Sequence, residues 1–186
     1  MNAFDIVMDF TNNEYPVTEG YNMDTAKLIK DPRVYKMRIM SKYAVTAYKV
    51  GVFSEAYKYF SKAYKMCDEM KKIVDQAREP EKFTEKLFSY LTPIFSTMRD
   101  SETTGAIYTG SGVVTISTTY TDSMSRGTKS AVKRNIQERF NLFKKQISDY
   151  VAMSKKKEAS WKKKGKKPSE KNITALKNLK KQIGLD

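Results

Sequence analysis

Histidine is missing altogether, and cysteine occurs once, at position 67. Without histidine the usual zinc sites and the Ser-His and Cys-His nucleophile pairs lose a component, and one cysteine makes no intrachain disulfide. No metal and no cofactor is therefore expected. A long apolar run is lacking as well. The longest uncharged stretch, residues 103–121, is rich in Thr, Ser and Gly, which suit a bilayer poorly. The first residues carry Asp5 and Asp9, with neither a basic start nor a small-residue cleavage site. These absences predict a protein that is not secreted by a signal peptide and does not span a membrane. Its expected place is the cytoplasm, or the inside of a nucleoprotein or virion particle.

Acid–base catalysis needs carboxylates held in a cleft with shifted pKa values. The plentiful candidates, Glu79, Glu81 and Glu85, flank a proline at the start of a helix-forming run, where acids offset the positive end of the helix dipole. They are read as capping charges, so no enzymatic activity and no small-molecule substrate is expected. Gly110-Ser111-Gly112 lacks the lysine and the immediate helix of a phosphate-binding loop and reads as a hairpin turn. Asn172-Ile173-Thr174 fits a glycosylation sequon but reads as the polar start of a helix.

What the chain does have is lysine, unevenly placed. It carries 35 Lys and Arg against 21 Asp and Glu, a net charge of +14. Residues 1–124 hold 16 of each sign, whereas residues 125–186 hold 19 basic against 5 acidic, so the whole excess lies in the last third. Lysines kept for solubility would be interspersed with acids, and their segregation points to an anionic partner. The densest stretch, residues 155–171 (KKKEASWKKKGKKPSEK), has nine Lys and two Glu, with Gly165 and Pro168 to break a long helix. It reads as a basic arm.

Lysine meets phosphate as a mobile point charge, whereas readout of base edges favours Arg, Asn and Gln. The arm thus predicts backbone contact with little sequence preference. Its candidate contacts are Lys155, Lys156, Lys157, Trp161, Lys162, Lys163, Lys164, Lys166, Lys167 and Lys171, with Lys133, Arg134, Lys144 and Lys145 adding positive charge on the preceding helix. Trp161 either stacks on a base or pins the arm to the body.

Along the chain, Asp31-Pro32 marks a helix start, followed by a stripe of Val34, Met37, Met40, Ala44 and Ala47 that Gly51 stops. A second stripe runs Ala56, Phe60, Ala63, Cys67, Met70 and Val74, which makes Cys67 a core residue. Ala44, Gly51, Phe53, Ala56, Phe60 and Ala63 resemble one helix pair of tetratricopeptide type. No second copy follows at that repeat's period, so a generic antiparallel helical hairpin is expected. Phe83, Leu87, Leu91, Ile94 and Met98 suggest a third helix, interrupted or kinked at Pro93. Val132, Ile136, Phe140, Phe143, Ile147 and Val151 give a fourth, and Ser169 caps a last one through Ile173, Leu176, Leu179 and Ile183.

Between the third and fourth helices the uncharged, β-branched residues 103–121 read as a β-hairpin. A lone hairpin is marginal in water, so Ile107, Tyr108, Val114, Ile116 and Tyr120 are its expected subunit contacts. The expectation is therefore a mainly α (α+β) fold: a bundle of about five helices with one inserted hairpin. A charge-neutral body, 1–124, would precede a basic part, 125–186. The expected function is that of a non-enzymatic structural or assembly protein holding nucleic acid, DNA or RNA, by its phosphates. The alternative is a protein–protein adaptor, such as a virion connector, whose hairpin and basic tail dock on acidic surfaces of neighbouring subunits. A membrane partner ranks last.

Overall fold

Aspartate and proline begin the first described helix as their chemistry dictates. In the computed structural model, which describes residues 31–96, 98 and 129–185, helix α1 spans Pro32–Lys49. The Asp31 carboxylate accepts a hydrogen bond from the Arg33 backbone N–H at 2.9 Å, while Pro32 supplies a preset φ where no donor is needed. Helix α2 spans Phe53–Asp75, α3 Pro80–Ser96, α4 Lys129–Lys163 and α5 Glu170–Gln182.

Helix α2 lies between α1 and α4. It runs antiparallel to α4, since Phe53 meets Trp161 at one end and Asp68 meets Lys144 further along. The expected stripes of α1 and α2 are buried throughout. An aromatic cluster joins α2, α3 and α4. Phe143 stands edge-on to Phe88 at 5.2 Å and to Phe95 at 5.7 Å, Phe95 stacks on Tyr150 at 5.6 Å, and Phe60 closes on Tyr150 at 5.6 Å. Such ring pairs add ~0.5–1.5 kcal/mol each beyond the area they bury. Arg139 is also on the buried face of α4, its guanidinium carbon 4.8 Å from the Phe88 ring centre.

The junction of α1 and α2 depends on Gly51. Its φ is +87°; its N–H donates to the Tyr48 carbonyl, and the Val52 N–H donates to that of Ala47, the paired bonds of a glycine-terminated helix. A Cβ there would come within 2.5 Å of the Trp161 indole. Both the backbone conformation and the indole exclude a side chain.

Three expectations are corrected. The α+β class gives way to an all-helical one: 85% of the described residues are helical, in five helices, and no strand occurs among them. Each described segment has a 3.6-residue apolar period and buries that face against other helices, which leaves no strand edge to pair. The hairpin at 103–121, with Ile107, Tyr108, Val114, Ile116 and Tyr120, lies outside the described residues. Helix α3 is not interrupted at Pro93 but passes through it to Ser96, where in the last turn an exposed proline forfeits only one backbone bond. Helix α4 does not stop after Val151, the last residue of its expected stripe, but continues to Lys163, so residues 155–163 of the expected arm are its final turns. The neutral and basic parts of the sequence share one core.

Cys67 is buried on α2, and its thiol lies 3.5 Å from the Ala63 carbonyl, to which it donates. Burial pushes its pKa up to about 12, although Lys144 acts in the opposite direction. A thiol reagent at pH 8 is accordingly expected to label the native protein orders of magnitude more slowly than the unfolded chain. Equal rates would contradict this packing.

Candidate nucleic-acid interface

With ~3.6 residues per turn, the buried residues Ile136, Phe140, Phe143, Ile147, Tyr150 and Ser154 fix the inward face of α4. Ser154 keeps that face dry by donating its hydroxyl to the Tyr150 carbonyl at 2.8 Å. Trp161 continues the same face two turns on. Off that face, cationic pairs recur eleven residues apart at Lys133-Arg134, Lys144-Lys145 and Lys155-Lys156, then seven further at Lys162-Lys163. Eleven residues are about three turns, or ~16 Å of rise, so each pair returns to the same side.

Of the first members, Lys144 and Lys155 are engaged with α2 and Lys162 with a residue of α4 itself. Lys144 donates to Asp68 at 3.0 Å and stands 4.9 Å from the Tyr64 ring. The bond to Asp68 holds its ammonium above the ordinary lysine pKa. Lys155 lies 5.6 Å from the Tyr57 ring, and Lys162 pairs with Glu158 at 3.7 Å. The second members, Arg134, Lys145, Lys156 and Lys163, are all exposed. Glu138 follows Arg134 by four residues and Asp149 follows Lys145 by four, whereas no acid so follows Lys156 or Lys163.

Helix α4 ends by the same device as α1. Gly165 has φ +68°; its N–H donates to the Lys162 carbonyl and the Lys166 N–H to that of Trp161 at 2.9 Å. Pro168 and Ser169 then start α5, with the Ser169 hydroxyl accepting from the Asn172 N–H at 3.2 Å. Helix α5 buries Leu176 and Leu179 in the core and is tied to α2 through the Lys180–Glu55 ion pair at 3.3 Å and the Tyr59 hydroxyl donating to the Leu185 carbonyl. The turn therefore holds Lys163, Lys164, Lys166 and Lys167 exposed between two anchored helices, and none of the four has an ion pair among the described residues.

The structure thus sorts the sequence candidates. Lys156, Lys163, Lys164, Lys166 and Lys167 gather at the end of α4 and in the turn, with Lys171 exposed just beyond and Lys157 half-buried. Lys133 and Arg134 stand about thirty residues earlier on α4, ~45 Å away. Lys144 is paired with Asp68. Trp161 is pinned to the body: its ring meets Phe53 edge-on at 4.9 Å and covers Gly51. Sequence reasoning missed Lys177 and Lys181, exposed on the outer face of α5; their four-residue spacing opposite Leu176 and Leu179 was the available signal. It also missed that Arg38 and Arg139 are buried beside aromatic rings; the α4–α5 turn itself carries lysine and no arginine.

Among the described residues no group of three His, Cys, Asp or Glu side chains could hold a metal ion, and no helix is long and apolar enough to cross a membrane. Comparison with protein-family models, curated proteins and solved structures finds no match for the chain.

Proposed function

We propose that this is a non-enzymatic structural or assembly protein that holds nucleic acid by its phosphate backbone, in the cytoplasm or inside a nucleoprotein or virion particle. The observation that carries the reading is the exposed lysine turn between α4 and α5, unmatched by acids and fixed at both ends. Each lysine that meets a phosphate releases condensed counterions, and that release drives sequence-independent binding. The absence of arginine from the turn favours phosphate contact over base readout, because lysine lacks the fork that recognises guanine.

The test is a titration of the full chain against labelled DNA and RNA oligonucleotides at several salt concentrations. The logarithm of affinity is expected to fall linearly with that of salt, with a slope of roughly −3.5 for a single strand to −4.5 for a duplex if about five phosphates are neutralised. Absence of binding even at low salt would contradict the reading and assign the lysine surface to an acidic protein neighbour.

A further inference from the structure

Where the end of α4 passes the α1–α2 junction, a groove of about 340 Å³ opens between Phe53, Trp161 and Pro168 on its apolar side and Lys162, Lys166 and Lys167 on its rim. This volume lies at the lower end of the range for small-ligand sites, ~300–1,000 Å³. Glu158, an acid on the wall, faces Lys162 at 3.7 Å and accepts from the Tyr57 hydroxyl at 3.5 Å. Two rim lysines, Lys166 and Lys167, are exposed and have no ion pair among the described residues.

We propose that this groove takes one nucleotide of a single-stranded nucleic acid, its base against Trp161 and Pro168 and its phosphate between Lys166 and Lys167. The inference rests on the function proposed above and adds a strand preference to it. An apolar wall beside a cationic rim matches a ligand that is aromatic at one end and anionic at the other. A nucleotide in a single strand has that form and can turn its base out of the stack at little cost. In a duplex the base is paired and stacked, and extruding it costs a few kcal/mol. Trp161 is partly exposed despite its contacts with Gly51 and Phe53, so an incoming base completes its burial without displacing it. Base–aromatic stacking is sequence-tolerant, in keeping with an all-lysine rim.

Trp161 is the only tryptophan in the chain, so its fluorescence reports on this groove alone. The experiment titrates the full-length protein with a labelled oligothymidylate and with a duplex of equal length, following label anisotropy and tryptophan emission together. The single strand is expected to bind about tenfold or more tightly than the duplex and to quench the emission by roughly half. Lys166→Gln with Lys167→Gln, both exposed and neutral to the fold, is expected to lower single-strand affinity roughly tenfold and to blunt the quenching. Binding seen by anisotropy with unchanged emission overturns the groove while leaving phosphate binding standing, and equal quenching by the duplex overturns the strand preference. Absence of any anisotropy change overturns both.

Discussion

Lys163→Glu, Lys164→Glu, Lys166→Glu and Lys167→Glu, combined in one chain, are expected to weaken oligonucleotide binding by on the order of 10²–10³-fold at about 0.1 M salt. All four side chains are exposed, and α4 is held by core residues and by Trp161, so the fold should survive. The cost to the end of α4 is that of acids at a helix C-terminus, ~0.3–1 kcal/mol at most sites. The informative control reverses the same number of charges elsewhere, at Lys36, Lys58, Lys65 and Lys72 on α1 and α2, which are likewise exposed. That variant has the same net charge and is expected to lose less than about tenfold, through long-range field alone. Equal losses in the two variants would mean that net charge, not the α4–α5 turn, drives binding.

The second large effect concerns the frame that fixes the turn. Phe143→Ala removes a ring that is 1% exposed and bridges Phe88 and Phe95. Truncating a buried phenylalanine costs ~3–5 kcal/mol through lost transfer energy and the cavity left behind. Domains are stable by only ~5–15 kcal/mol, so the midpoint of thermal unfolding should fall by roughly 10–20 °C. Leu142→Ala, next in sequence but 37% exposed, should move it by a few degrees at most. Similar shifts for the two would contradict the assigned face of α4.

Much of the frame was legible in the sequence because its signals are local. Asp31-Pro32 and Ser169 cap helices where their side chains accept backbone N–H groups, and the stripes through Phe60, Cys67, Phe140 and Phe143 face inward at the spacing that the helix period requires. The end of α4 was misread because its apolar stripe thins after Val151, where a buried serine and then Trp161 carry the inward face past three consecutive lysines. Gly165 was correctly read as a breaker, although the helix it ends is α4 itself. The contact of Trp161 with Gly51 joins residues far apart in the chain, and no local pattern encodes it. The same holds for Lys144, whose partner Asp68 is on another helix. Charge segregation was plain in the sequence, but which lysines are engaged and which stand free emerged only from packing.

The central claim is that the lysines at the end of α4 and in the following turn carry the nucleic acid. Chemical acetylation of lysines in the unmodified protein, with and without a bound oligonucleotide, tests it most directly when each site is read by mass spectrometry. Lys156, Lys163, Lys164, Lys166 and Lys167 are expected to be protected severalfold, while Lys36, Lys58, Lys65 and Lys72 keep their reactivity. Protection spread evenly over both sets, or confined to the second, would contradict the account.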